Sequence, residues 1–298
     1  MISDSLKVLF FLGKGGVGKT TISCNTANYL SKSKKHTYLL SIDPANNVFD
    51  FYRINSKSSI KTINEYLTVE ELHLDKKKEE ITNKTIDSIK SQYKYLTIFN
   101  LENIFNTLKY TPGITEYICL NAIYETYIKI KDNFEYLIID TPPTGLFIQI
   151  IALIKNTQNW IRELEKIRTK LLNKKEQLAN IKRIKSEKKL TDNDKILNIL
   201  KEEENIYTLL ENIINDLKTN LILIINNDSI SKKEGLYIIN TLRELNVNIN
   251  KVIINKANTK DIELESLYKN YYLHFIPNFE SYNSINLDNK YIKDIVEI

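Results

Sequence analysis

The chain of 298 residues is long enough for one large domain or two modest ones, and its 42% hydrophobic and 27% charged residues are those of an ordinary globular protein. A formal charge of +5 is mild for this length and excludes the strongly basic composition of a dedicated nucleic-acid binder, so no nucleic acid is expected as a partner. Cys24 and Cys119 form no CxxC pair and no disulfide framework, and no apolar run approaches the ~20 residues of a membrane span, so a cytoplasmic protein is expected, its membrane contacts transient.

The first residues lack the basic, apolar and cleavage regions of a secretory signal, and Lys7–Leu12 reads directly as a buried strand. A glycine-rich loop follows, Gly13-Lys14-Gly15-Gly16-Val17-Gly18-Lys19-Thr20-Thr21. A strand before it and a helix after it are the context that supports a Walker A reading. The glycines let the backbone wrap phosphates with its N–H groups pointing inward. Lys19 would bridge β- and γ-phosphate oxygens, and Thr20 would give a hydroxyl ligand to magnesium, so ATP and Mg²⁺ are the expected cofactors.

Thr37–Ile42 is the next predicted strand, and it runs into Ser41-Ile42-Asp43-Pro44-Ala45-Asn46-Asn47. A carboxylate at that strand end can face a γ-phosphate, where Asp43 would orient the attacking water and accept its proton. Strands are also predicted at Leu96–Leu101 and Phe134–Ile139, the second leading into Asp140-Thr141-Pro142-Pro143-Thr144-Gly145. Asp140 is Walker B-like, placed to hold magnesium through its water shell. The turn through Pro143, Thr144 and Gly145 would be a switch loop that senses the γ-phosphate. Taken alone, either Asp43 or Asp140 could be a helix N-cap; following strands in a chain with a P-loop, both read as functional.

From about Lys155 to Lys218 there is no strand signal, no glycine and no proline. Ile161, Leu164, Ile167, Leu171, Leu178, Ile181 and Ile184 recur at helical spacing, as do Ile196, Leu200, Tyr207, Leu210, Ile214 and Leu217, with a turn and N-cap predicted at Thr191-Asp192-Asn193-Asp194. The expected organisation is a helical subdomain, 155–218, inserted into a sheet domain formed by 1–154 and 219–298. A helical hairpin closed on its own core is the other reading. Strands at Leu221–Asn226, Lys251–Asn255 and Leu273–Pro277 complete the pattern. Continuous apolar strands separated by helices predict an α/β fold with a mostly parallel sheet flanked by helices, and ligands at the carboxyl ends of its strands.

These motifs resemble, in order and approximate spacing, those of the ArsA ATPase family of P-loop proteins, which includes arsenite-pump ATPases and the GET-pathway factor that targets tail-anchored membrane proteins. Lys14 resembles the second lysine of the deviant Walker A loop in the MinD/ParA/ArsA branch. Thr111-Pro112-Gly113-Ile114-Thr115-Glu116 resembles a PGIDE segment, Val252–Asn255 with Lys256 an adenine-side strand, and Pro277 with Glu280 a later adenine loop. The resemblance implies that Asp43 is catalytic, that Lys14 acts on a partner copy's nucleotide, that Asp140 assists magnesium, and that Asn255 and Pro277 lie at the adenine. With one P-loop and no internal repeat, the chain resembles the homodimeric members. The implied function is to bind and deliver hydrophobic tail-anchored segments to a membrane receptor, with Ile161, Leu164, Ile167 and Leu171 as client-binding candidates.

Departures from the family pattern are specific. Asn46 stands where the family has His, and Gln149 where it has Arg. No CxxC lies between Asn255 and Pro277, so no zinc is expected. The insert is lysine-rich from Lys166 to Lys189, and the chain's single methionine is Met1, so a Met-lined groove is absent. The other functions to weigh are an ATPase that energises an arsenite or anion pump, and a ParA/MinD-like positioning ATPase. Cys24 and Cys119 read as buried core cysteines, which counts against arsenite activation.

Overall fold

The computed structural model describes residues 6–45, 47–92, 111–181, 194–257, 262–278, 287 and 289–296. The strand predicted at Leu96–Leu101, Asn46, Glu280 and Thr191-Asp192-Asn193 lie outside them. Eight strands form one sheet: β1 (Lys7–Gly13), β2 (Thr37–Ser41), β3 (Ile60–Asn64), β4 (Leu67–Glu71), β5 (Tyr136–Asp140), β6 (Thr219–Asn226), β7 (Lys251–Asn255) and β8 (Tyr272–Phe275), in the order β3-β4-β2-β5-β1-β6-β7-β8. Every pairing is parallel except β3 with β4. The helices are α1 (Lys19–Lys32), α2 (Val48–Phe51), α3 (Leu74–Gln92), α4 (Ile114–Ile130), α5 (Thr144–Ile181), α6 (Lys195–Asn215), α7 (Ser229–Glu244), α8 (Ile262–Leu267) and α9 (Asn289–Val296).

The central strands are apolar on both sides because both sides are covered. Val8, Phe10 and Leu12 of β1 join one core with residues of α4, α5, α6 and α7, while Leu9 and Phe11 join a second with residues of α1, α2 and α9. The same alternation runs through β5, β6 and β7, where Ile138, Ile222 and Ile253 face α1 and their neighbours face the other way. Asp43, Asp140 and the glycine loop all follow carboxyl ends of adjacent strands β2, β5 and β1, which brings three segments distant in sequence to one edge of the sheet.

The helical region is a pair of antiparallel helices. Gln158 Nε2 donates to Glu211 Oε2 at 3.0 Å, Arg162 pairs with Glu204 at 3.0 Å, and Arg168 pairs with Asp194 at 2.7 Å, the partner number falling as the chain number rises. Asp194 is the N-cap of α6 and accepts from Leu197 N at 3.0 Å, as the turn signal predicts; the Arg168 guanidinium holds its carboxyl down at about 2. α5 runs for 38 residues without interruption from Thr144, so residue 155, the expected boundary, falls inside a helix.

One expectation needs correcting. Ile161 is 5% exposed and packs into the core beside Tyr207 and Leu210, whereas Leu164, Ile167 and Leu171 are 44%, 54% and 55% exposed. At 100° per residue, Ile161 lies about 100° round the helix from Trp160 and belongs to the inward stripe with Ile154. Trp160, 69% exposed, takes its place on the outward one. Among the described residues, no helix is long and apolar enough to cross a membrane.

Candidate functional site

Gly18 is the N-cap of α1 in the left-handed region at φ 96°, and a Cβ there would sit 2.6 Å from the Asn255 amide nitrogen. That amide donates to Val17 O at 2.8 Å, so the end of β7 steadies the loop directly. A glycine loop leading into a helix N-terminus, whose first N–H groups have no intrahelical acceptor, is a suitable anion site.

A cavity of about 520 Å³ opens there, lined by Gly15, Gly16, Gly18, Lys19, Thr20, Thr21, Asp43, Pro143, Asn255 and Pro277 among the predicted site residues. The volume suits a nucleotide-sized ligand. Gly13 and Val17 lie behind the loop, against Ile224. Lys14 points outward, 54% exposed, and pairs with Glu234 on α7 at 3.0 Å. Asp140 is fully buried, bonded to the cavity-lining Thr20, and Thr144 and Gly145 open α5. Lys256, which the resemblance sets beside the adenine, also lines the cavity, and so do Phe51, Asn278 and Leu287, which were not anticipated, since nothing in their spacing marks them.

Lys19 is 5% exposed; its Nζ lies 3.3 Å from Lys14 O and 3.7 Å from Asp43 Oδ2. Asp43 Oδ1 accepts from Ala45 N at 3.0 Å, which turns the carboxylate back over its own loop. Thr20 Oγ1 donates to Asp140 Oδ2 at 2.7 Å, and Asp140 Oδ1 has no hydrogen-bond partner among the described residues. A hydroxyl beside a carboxylate with a spare oxygen is a hard-oxygen donor set that fits Mg²⁺, the remaining positions falling to phosphate and water. No cluster of three or more His, Cys, Asp or Glu able to hold a metal occurs among the described residues, so phosphate would be a necessary part of the site.

Burial pushes the Asp140 carboxyl up to about 7, against the pull of the Thr20 hydrogen bond and the Lys19 charge. A carboxyl whose folded value lies above its unfolded one favours the folded state at low pH and loses that advantage as pH rises from about 4 to about 7. Asp140→Asn keeps an acceptor for Thr20 and carries no charge. It is therefore expected to raise the melting temperature of the nucleotide-free protein at pH 8 by about 4 °C, about 2 kcal/mol, and to have little effect at pH 4. A lower melting point at pH 8, read by scanning calorimetry, would show that the ionised carboxylate is stabilised by its surroundings.

The family model described as Anion-transporting ATPase matches residues 6–270. A provisionally named arsenical pump-driving ATPase 2 of Aquifex aeolicus is 27% identical over 252 residues, 85% of this chain and 80% of that protein. The ATPase ASNA1 homolog of Plasmodium berghei is 27% identical over an alignment of 311 residues, covering 98% and 75%. The ATPase ASNA1 homolog of Plasmodium falciparum is 27% identical over 267 residues, covering 86% of this chain and 64% of the other.

Proposed function

Because the chain belongs to the anion-transporting ATPase family and is an ATP hydrolase, we propose that it works as a nucleotide-switched homodimer that shields an apolar segment of a membrane-protein client along α5. The observation that carries this reading is the exposed stripe Trp160, Leu164, Ile167 and Leu171. Spacings of four, three and four place these side chains on one face of the helix. Leu178, at 60% exposure, continues the line. An apolar row of this length without a partner among the described residues marks a contact surface, and its pitch matches an apolar helix lying in a groove.

In hydrolysis, Lys19 leaves Lys14 O and Asp43 for the β- and γ-phosphate oxygens. The N–H groups of the loop hold the same phosphates. Asp43, released from Lys19, orients water for in-line attack on the γ-phosphorus. The water's proton passes to the carboxylate as the bond to the β-phosphate oxygen breaks, giving ADP and phosphate. Thr20 and Asp140 are the residues that would hold Mg²⁺, which would supply charge neutralisation on the phosphates. Lys14, on the outer surface, reaches the nucleotide of a second copy. Asp140 is joined through Pro143 to Thr144, where α5 starts, so loss of the γ-phosphate is felt at the foot of the client helix. A membrane receptor then takes the client.

The pump-driving reading suggested by the Aquifex relative's name requires accessible thiolates for a soft metalloid. Cys24 and Cys119 are both buried, and burial pushes the Cys119 thiol up to about 12. This favours the client reading.

The test is co-purification of the Asp43→Asn protein with a reporter bearing one C-terminal transmembrane helix. Changing Leu164, Ile167 and Leu171 together to Ser is expected to lower recovery of the soluble complex at least about tenfold. ATPase activity of the same triple change in the otherwise native chain is expected to stay within about twofold. Undiminished capture by the triple variant would sink the reading. Stimulation of native ATPase activity by arsenite would restore the pump.

A further inference from the structure

The loop that carries Asp43 leaves β2 at Ser41 and enters α2 at Val48. Asn47 occupies the N-cap of α2, yet its side chain makes no cap hydrogen bond, although Asn is among the best residues for that task. The cap comes from elsewhere in the chain. Val48 N donates to Glu71 Oε1 at 3.0 Å and Phe49 N to the same oxygen at 3.3 Å. Glu71 ends β4, opposite Ser41 in the parallel register, and is 2% exposed. The far end of the helix is tied to α1, where the Tyr52 hydroxyl lies 3.2 Å from Cys24 O and 3.1 Å from Asn28 Oδ1.

Burying a carboxylate is costly, and burial raises the Glu71 carboxyl above its ordinary range. A local Asn or Ser cap would hold the helix without that cost, so capping alone does not account for the residue. What Glu71 adds is a link between the exit of the Asp43 loop and the sheet. Asp43 itself is held by Ala45 N and by the longer contact to Lys19. Once Lys19 turns to a triphosphate, the second restraint is gone and the loop exit becomes decisive.

We propose that Glu71 is a positioning residue for ATP hydrolysis, fixing the exit of the loop so that the Asp43 carboxylate stays aimed into the cavity. The inference rests on the assignment of Asp43 as the water-orienting carboxylate. Glu71→Leu fills a similar volume without an acceptor; it is expected to lower kcat at least about tenfold while the ADP dissociation constant stays within about twofold. Glu71→Gln, which still offers Oε1, is expected to return kcat to within about threefold of the native value. Should Glu71→Leu not fold, Glu71→Asp, one methylene too short, carries the same expectation as Leu.

Tyr38→Phe removes the hydrogen bond to Glu70 on the same strand and controls for general weakening of the sheet edge; its kcat is expected to stay native. In the Asp43→Asn background, Glu71→Leu is expected to cost nothing further in kcat, because the group it positions is already absent. A kcat within twofold of native for Glu71→Leu, or a parallel loss of ADP affinity, would overturn the proposal. A native rate for Asp43→Asn alone would instead remove the reading on which it rests.

Discussion

Asp43→Asn is expected to lower kcat for ATP hydrolysis by about a hundredfold to a thousandfold, with nucleotide binding preserved. The substitution keeps the side chain's shape, and its carbonyl oxygen can still accept from Ala45 N, so the loop need not move. What disappears is the base. Asp43 also lies 3.7 Å from Lys19 Nζ and lines the cavity proposed to receive the phosphates. Removing a negative charge there relieves repulsion against the γ-phosphate, so the ATP dissociation constant is expected to hold or to tighten by about threefold. Single-turnover phosphate release and calorimetric titration with Mg·ATP measure the two effects separately. A kcat within threefold of native would mean that another group handles the water.

Gly13→Ala is expected to act through the backbone and to cost about 3 kcal/mol of stability together with at least about a hundredfold in ADP affinity. Gly13 has φ 153°, and a Cβ there would meet Ile224 O at 2.5 Å and Val17 Cγ2 at 2.7 Å. The first clash is with the backbone of β6, directly across the register from Gly13, so relief requires the two central strands to part. Gly15 makes an informative contrast. A Cβ on it would meet nothing within 4 Å, and Gly15 lines the cavity. Gly15→Ala is therefore expected to melt within about 2 °C of native, and any affinity it loses reports crowding against bound phosphate. Equal melting points and equal ADP affinities for the two variants would refute this account of the loop.

How much of this could be read from the chain depended on burial. β1, β2, β5, β6 and β7 are covered on both faces, so each reads as an unbroken apolar run and each lies close to its predicted position. The β3–β4 hairpin escaped because its outer strand has only exposed and half-buried residues, and because β4 ends in Glu70-Glu71, charges that read as surface. Glu71 was missed for that reason, although a pair of acidic residues closing a short strand beside the Asp43 strand is a visible signal once β4 is placed. The placement of the glycine loop, Asp43 and Asp140 at the ends of β1, β2 and β5 was legible because each follows one of these apolar runs. Ile161 was misassigned because threes and fours describe two stripes on α5 equally well, and only packing against α6 decides which one faces inward.

The unbroken course of α5 sets a mechanical scale for whatever happens at the nucleotide. A helix of 38 residues is about 57 Å long, and it contains no glycine after its second residue and no proline at which to bend. Were such a rod to turn as one body about Thr144, it would act as a lever. A rotation of about 10° at the foot, within the reach of small rearrangements beside a phosphate, sweeps the far end through about 10 Å, the diameter of a helix. Mechanical gain of this kind depends on stiffness along the rod, so a pair of glycines placed on its polar face, midway between foot and tip, would uncouple motion at the site from motion at the end while leaving both ends chemically intact.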